Sequence, residues 1–128
     1  MLVLSQMPVL KIDENKSVSD FQKDFTTLFP FLKIEFFKTP NSLLDRKHYK
    51  TGTLLAPNFP LSKNAFSIDL SPSTTVAKLK TIIFEKTGVS CLVYRKSGSM
   101  WIVTLLTEDW SLARQNHEAE LMSNHSIG

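Results

Sequence analysis

The sequence predicts a single α+β domain of ferredoxin-like type: two β-α-β units in tandem, with an added C-terminal β-strand and helix. Three observations predict it. Short runs alternate apolar and polar residues, apolar residues between those runs recur at helical spacing, and the whole pattern occurs twice at a nearly constant offset. At 128 residues, 42% hydrophobic and 21% charged, the chain suits one domain over 1–128 with a core over about 8–121.

The elements follow in order. Val9 to Asp13 is the first strand. A helix runs from about Ser17 to Leu28, with Val18, Phe21, Phe25 and Leu28 on one face and Pro30 as its stop. Leu32-Lys33-Ile34-Glu35-Phe36 alternates as a strand with one buried face. Phe66 to Leu70 alternates again, and Ser71-Pro72-Ser73-Thr74 supplies a turn and cap. Val76, Leu79, Ile82 and Ile83 then stripe a helix that ends near Thr87, capped by Gly88. Cys91 to Arg95 is the next strand, and Lys96-Ser97-Gly98-Ser99 turns the chain into a fifth strand from Met100 to Leu105. Ser111 or Asp109 caps a last helix reaching about Glu120.

An offset of 58 places Val18 on Val76, Phe21 on Leu79, Phe25 on Ile83, Ile34 on Leu92 and Phe36 on Tyr94. The first strands match at 56, with Ile12 on Ile68. On this register Leu92 and Tyr94 face the helices. The opposite sheet face then carries Lys11, Asp13, Lys33, Glu35, Phe37, Ser67, Asp69, Cys91, Val93 and Arg95, with one aromatic among charges of both signs. Base stacking on such a face is disfavoured.

Charge is unevenly placed. The net +3 comes from the connection at about 38–63, where Lys38, Arg46, Lys47, Lys50 and Lys63 stand against Asp45 alone. Within it, Ser42 to Tyr49 suits two helical turns and Thr53 to Leu55 a short extended piece. Arg46, Lys47 and Lys50 are therefore the candidate anion-binding residues, for nucleic acid or another anionic ligand.

Chemistry-bearing patterns are sparse. No phosphate-binding glycine loop and no nucleophile elbow occur, and His48, His117 and His125 lack ligand spacing. These features imply no catalytic residues, metal or cofactor. The lone Cys91 forbids an internal disulfide and reads as a buried thiol, which suits a cytoplasmic location. No apolar run approaches the ~18 residues of a membrane span, and the start carries no basic leader.

The fifth strand is apolar on both faces: Met100, Ile102 and Thr104 alternate with Trp101, Val103 and Leu105. Something must cover it. Each tryptophan can bury about 150–250 Å², worth on the order of 4–6 kcal/mol. The last helix, with Trp110, Leu112, Ala113 and Ala119, is the expected cover; a protein partner or homodimer mate is the alternative. A non-enzymatic interaction or self-association domain is the expectation.

Arg95-Lys96-Ser97-Gly98-Ser99-Met100-Trp101, Thr107-Glu108-Asp109-Trp110-Ser111-Leu112 and Gln115-Asn116 resemble a family of small uncharacterised bacterial proteins, mostly from Bacteroidetes. Phe29 to Phe37 is similar to an earlier segment of that family. The chain departs from the pattern at Val103, where the family has an acidic residue, and in lacking a run of glutamates on its last helix. The resemblance implies no activity. It does direct attention to Arg95, Lys96, Trp101, Asp109, Trp110, Gln115 and Asn116 as candidate binding residues, expected to converge as a polar-rimmed aromatic pocket.

Overall fold

The computed structural model describes residues 9–38, 53–61 and 64–125. The chain is α+β. In order it forms β1 (Val9–Ile12), α1 (Val18–Leu28), β2 (Leu32–Lys38), β3 (Thr53–Leu54), β4 (Phe66–Asp69), α2 (Val76–Thr87), β5 (Ser90–Ser97), β6 (Met100–Val103), a 3-10 turn (Leu105–Thr107) and α3 (Leu112–His125). Residues 39–52 lie outside the described residues, and with them the two helical turns expected at 42–49.

The helix ends follow from local chemistry. Ser17 caps α1 by accepting from the Asp20 amide (3.1 Å), while the Asp20 carboxylate accepts from the Ser17 amide (3.4 Å), a reciprocal capping box. Thr75 caps α2 in the same way, accepting from the Lys78 amide at 3.1 Å. At the other end Gly88 takes φ +77 and donates to the Phe84 carbonyl (2.8 Å), a left-handed close that glycine adopts without penalty.

Strand pairing departs from the expected ferredoxin-like sheet. The described strands form two antiparallel sheets, one of β1 and β4, the other ordered β3-β2-β5-β6. The opening strands of the two β-α-β units pair with each other, and so do their closing strands, Leu32 opposite Arg95 through Phe37 opposite Ser90. A ferredoxin-like sheet would keep those closing strands on opposite edges. Periodicity reports which face a strand buries and carries no information on its neighbours, which is why pairing order escaped the sequence.

One hydrogen-bond pattern recurs in both halves. The Val18 and Ser19 amides donate to the Phe59 and Pro57 carbonyls (both 2.9 Å), and the Leu61 amide donates to Lys16 (3.0 Å). In the second half Val76 and Ala77 donate to Trp110 (3.2 Å) and Glu108 (2.9 Å), and Leu112 donates to Thr74 (2.7 Å). Each helix start thus has its unpaired amides met by a strap arriving after the hairpin. Leu61 and Leu112 are the buried anchors of the two straps.

α1 packs on β2, and α2 and α3 pack on β5. Phe21 meets Phe36 edge-on at 5.4 Å between centroids and Phe25 meets Phe29 at 5.5 Å, within a core that includes Ile12, Leu32, Ile34, Ile68, Leu70, Leu79 and Ile83.

The face assignment in β5 needs correcting. Cys91 and Val93 are buried, at 2% and 1% exposure, while Leu92 and Tyr94 are only half-buried. α2 has 12 residues against 11 in α1. An offset of 58 carried past that extra residue arrives one position out of step, and one step reverses every side chain in a strand.

Candidate functional site

Trp110 and Gln115 gather part of the predicted cluster. Gln115, on the first turns of α3, is wholly buried and hydrogen-bonded at both ends of its amide. Its Nε2 donates to the Thr107 carbonyl (2.7 Å) and hydroxyl (2.8 Å), and its Oε1 accepts from Arg95 (3.1 Å). The Arg95 guanidinium also lies 5.3 Å from the Trp110 ring centroid, and that of Arg114 lies over the same ring at 3.8 Å. Arg95, Trp110 and Gln115 therefore converge.

The remaining predicted residues go elsewhere. Asn116 turns away, its Oδ1 accepting from the Phe31 amide (2.8 Å) at the start of β2. Asp109 is exposed in the strap, and the hydroxyl that caps α3 belongs to Ser111, accepting from the Arg114 amide at 3.1 Å. Glu108 of that strap pairs with Lys80 on α2. Lys96 is opposite Trp101 in the β5–β6 ladder. Trp101 shares the sheet face away from Arg95, where the Lys33 ammonium lies 5.1 Å from its ring centroid and 5.4 Å from that of Tyr94. Arg46, Lys47 and Lys50 lie outside the described residues.

With the β5 register corrected, the open sheet face carries Phe37, Tyr94, Trp101 and Val103, with Lys33 and Lys96 against Glu35. Lys33 and Glu35 pair at 3.2 Å. Burial, with the Glu35 charge second, holds the Tyr94 hydroxyl above its ordinary pKa. This face is richer in aromatics than the uncorrected register implied.

Comparison with protein-family models, curated proteins and solved structures found no match. Function must be read from the residues themselves. Among the described residues no three His, Cys, Asp or Glu side chains stand close enough to hold a metal ion, and no helix is long and apolar enough to cross a membrane.

The feature that stands out is β6. Met100 is 67% exposed, Trp101 37%, Ile102 41% and Val103 36%, and Leu106 just beyond is 99% exposed. Sequence reading expected α3 to cover this strand. Instead α3 lies on β5 and β2, with Leu112 and Ala119 buried there while Ala113 is exposed. The Arg95–Gln115 bond ties α3 to β5, one strand inward of the expected position.

The backbone of β6 has a defined polarity. Gly98, at φ +64, and Ser99 form a two-residue turn between the paired Ser97 and Met100, a closing pair that exchanges hydrogen bonds. Alternate residues Met100, Ile102 and Thr104 therefore turn their amides and carbonyls toward β5, and the Thr104 amide indeed donates to the Val93 carbonyl at 3.0 Å. Trp101 and Val103 turn theirs outward. Among the described residues nothing is placed against those outward groups.

The opposite edge of the same sheet is dressed. On β2 the Phe36 carbonyl accepts from the Leu55 amide (2.9 Å), the Ile34 carbonyl from Gln22 (2.8 Å) and the Leu32 carbonyl from Thr26 (3.2 Å). One edge is closed by β3 and by α1 side chains; among the described residues the other is open.

Proposed function

We propose that the chain is a non-enzymatic protein-interaction domain that docks its partner along β6 by strand addition. One observation carries this reading: an edge strand exposed on both faces whose outward backbone groups have no partner among the described residues. Edge strands that must stay solitary carry charge, proline or a bulge. Residues 100–106, Met-Trp-Ile-Val-Thr-Leu-Leu, contain neither charge nor proline. The recurring strap bonds support a further part of the reading, an internal duplication of a β-α-β-β-strap unit. A buried Cys91 suits a cytoplasmic setting.

Val103→Pro tests the docking edge, because it removes an outward amide while leaving the ladder to β5 intact. Proteins captured on the wild-type chain from its native cell should be lost from the variant at unchanged far-ultraviolet circular dichroism. Equal recovery on both chains contradicts the proposal.

A second reading draws on the open face, where Lys33 lies between Tyr94 and Trp101. Aromatic faces beside a cation suit single-stranded nucleic acid, with the basic segment at 38–63 adding phosphate contacts. Binding of mixed RNA that weakens steeply with salt and is lost in Tyr94→Ala would favour this reading over the first.

A further inference from the structure

Resting on the docking role of β6, we propose that its occupant is β6 of a second copy of this chain, paired antiparallel about a twofold axis through Ile102. The outward backbone groups, without a partner among the described residues, select that register. Trp101 and Val103 each present an outward amide and carbonyl. If Trp101 of one copy is set opposite Val103 of the other, the two pairs exchange four hydrogen bonds, and all the outward groups of those four residues are used. Centring the axis on Trp101 instead would leave Val103 beyond the pairing of the strand. Ile102 then faces its own counterpart in a non-hydrogen-bonded pair, the closer of the two antiparallel spacings.

The side chains are compatible with self-pairing on both faces. On the open face Trp101 meets Val103 of the second copy; on the helix face Ile102 meets Ile102 with Met100 alongside. A twofold axis sets like against like, so a charged strand would repel itself, and no residue from Met100 to Leu106 is charged. Met100, Trp101, Ile102, Val103, Leu105 and Leu106 are 67%, 37%, 41%, 36%, 36% and 99% exposed. Those fractions leave on the order of 600 Å² per copy as the most that pairing can cover, below the ~800 Å² that each partner buries in a standard interface and in keeping with a reversible dimer. The product is one continuous sheet in the order β3-β2-β5-β6-β6-β5-β2-β3, its two outer edges already dressed by β3 and α1.

Sedimentation equilibrium combined with site-specific cross-linking tests this. The wild-type chain should dimerise reversibly in the micromolar range, and Ile102→Lys, which sets two cations face to face, should weaken the dimer by at least ~100-fold. Ile102→Cys should form an intermolecular disulfide under mild oxidation, since its Cβ atoms meet across the axis, whereas Leu54→Cys on the far edge should not. Circular dichroism of each variant separates loss of pairing from loss of fold, and the mild Ile102→Cys change keeps the test valid if the lysine variant unfolds. A chain that stays monomeric to millimolar concentration, or a dimer that cross-links through Leu54→Cys and not Ile102→Cys, overturns the proposal. If the chain is monomeric while Val103→Pro still abolishes capture of other proteins, self-pairing fails and the docking edge stands. If it is monomeric and Val103→Pro changes nothing, both fail together.

Discussion

Gln115 shows how a residue that reads as a site from sequence becomes architecture. Its amide is buried and bonded to Thr107 and Arg95, so it holds the strap, α3 and β5 together. Gln115→Leu, similar in size, removes those bonds while the Thr107 carbonyl keeps the Trp110 amide (3.0 Å), and should cost about 1–2 kcal/mol in urea denaturation. The sequence offered an amide beside a tryptophan, and no local signal separates a ligand contact from a structural one. Cys91 reads more directly. Burial, with a smaller contribution from Glu108 and an opposing one from Lys80, pushes its thiol from 9.0 up to about 12. A thiol-specific reagent at pH 8 should leave the native chain unlabelled and label it fully in denaturant. Because the folded value is the higher one, Cys91 contributes its stability fully below pH 9 and loses it between about pH 9 and about pH 12. Cys91→Ala should flatten that part of the stability profile.

Elements were legible wherever their signals are local. Ser17, Pro30 and Gly88 mark helix ends through contacts within four residues, and α1 starts and both helices stop where those residues place them; the cap of α2 is Thr75, one residue past the Ser71–Thr74 cluster that the sequence marks. Ser17→Ala and Thr75→Ala should each cost about 1 kcal/mol by thermal or urea denaturation. Gly88→Ala should cost a similar amount, about 1 kcal/mol, through backbone strain at φ +77 alone, since an added Cβ meets nothing within 4 Å. The facing of β5 was not legible, because Cys91, Leu92, Val93 and Tyr94 are apolar or aromatic at every position and supply no alternation. The strap was missed for a different reason. Pro57 to Leu61 and Glu108 to Leu112 share only an aromatic and a leucine, since their work is done by backbone carbonyls that any residue supplies. The Thr-Glu-Asp-Trp-Ser-Leu string, of which Asp109 and Trp110 are pocket candidates from sequence, meets the first amides of α2 through the Glu108 and Trp110 carbonyls.

At the scale of the whole molecule, the two halves differ most in what lies at their sheet edges. The first half ends in a two-residue β3 beside carbonyls taken by Gln22 and Thr26. The second ends in β6, apolar on both faces and unaccompanied among the described residues. Sequence patterning identified β6 as a strand in need of cover. It could not show that α3 turns inward to β5 and β2, where the Arg95–Gln115 and Phe31–Asn116 bonds and the buried Leu112 and Ala119 hold it. Ile102 is exposed but lies opposite Arg95, so Ile102→Lys should cost the isolated chain up to about 1 kcal/mol by like-charge repulsion while altering its association more strongly.

Residue-resolved amide hydrogen exchange, followed from dilute to concentrated protein, probes the open edge most directly. Ile102 and Thr104 should be protected throughout, because their amides point to β5. Trp101 and Val103 should exchange freely in dilute solution and become protected as concentration rises. Protection of those two amides in the dilute chain, or free exchange at every concentration even with captured partner bound, would contradict the account.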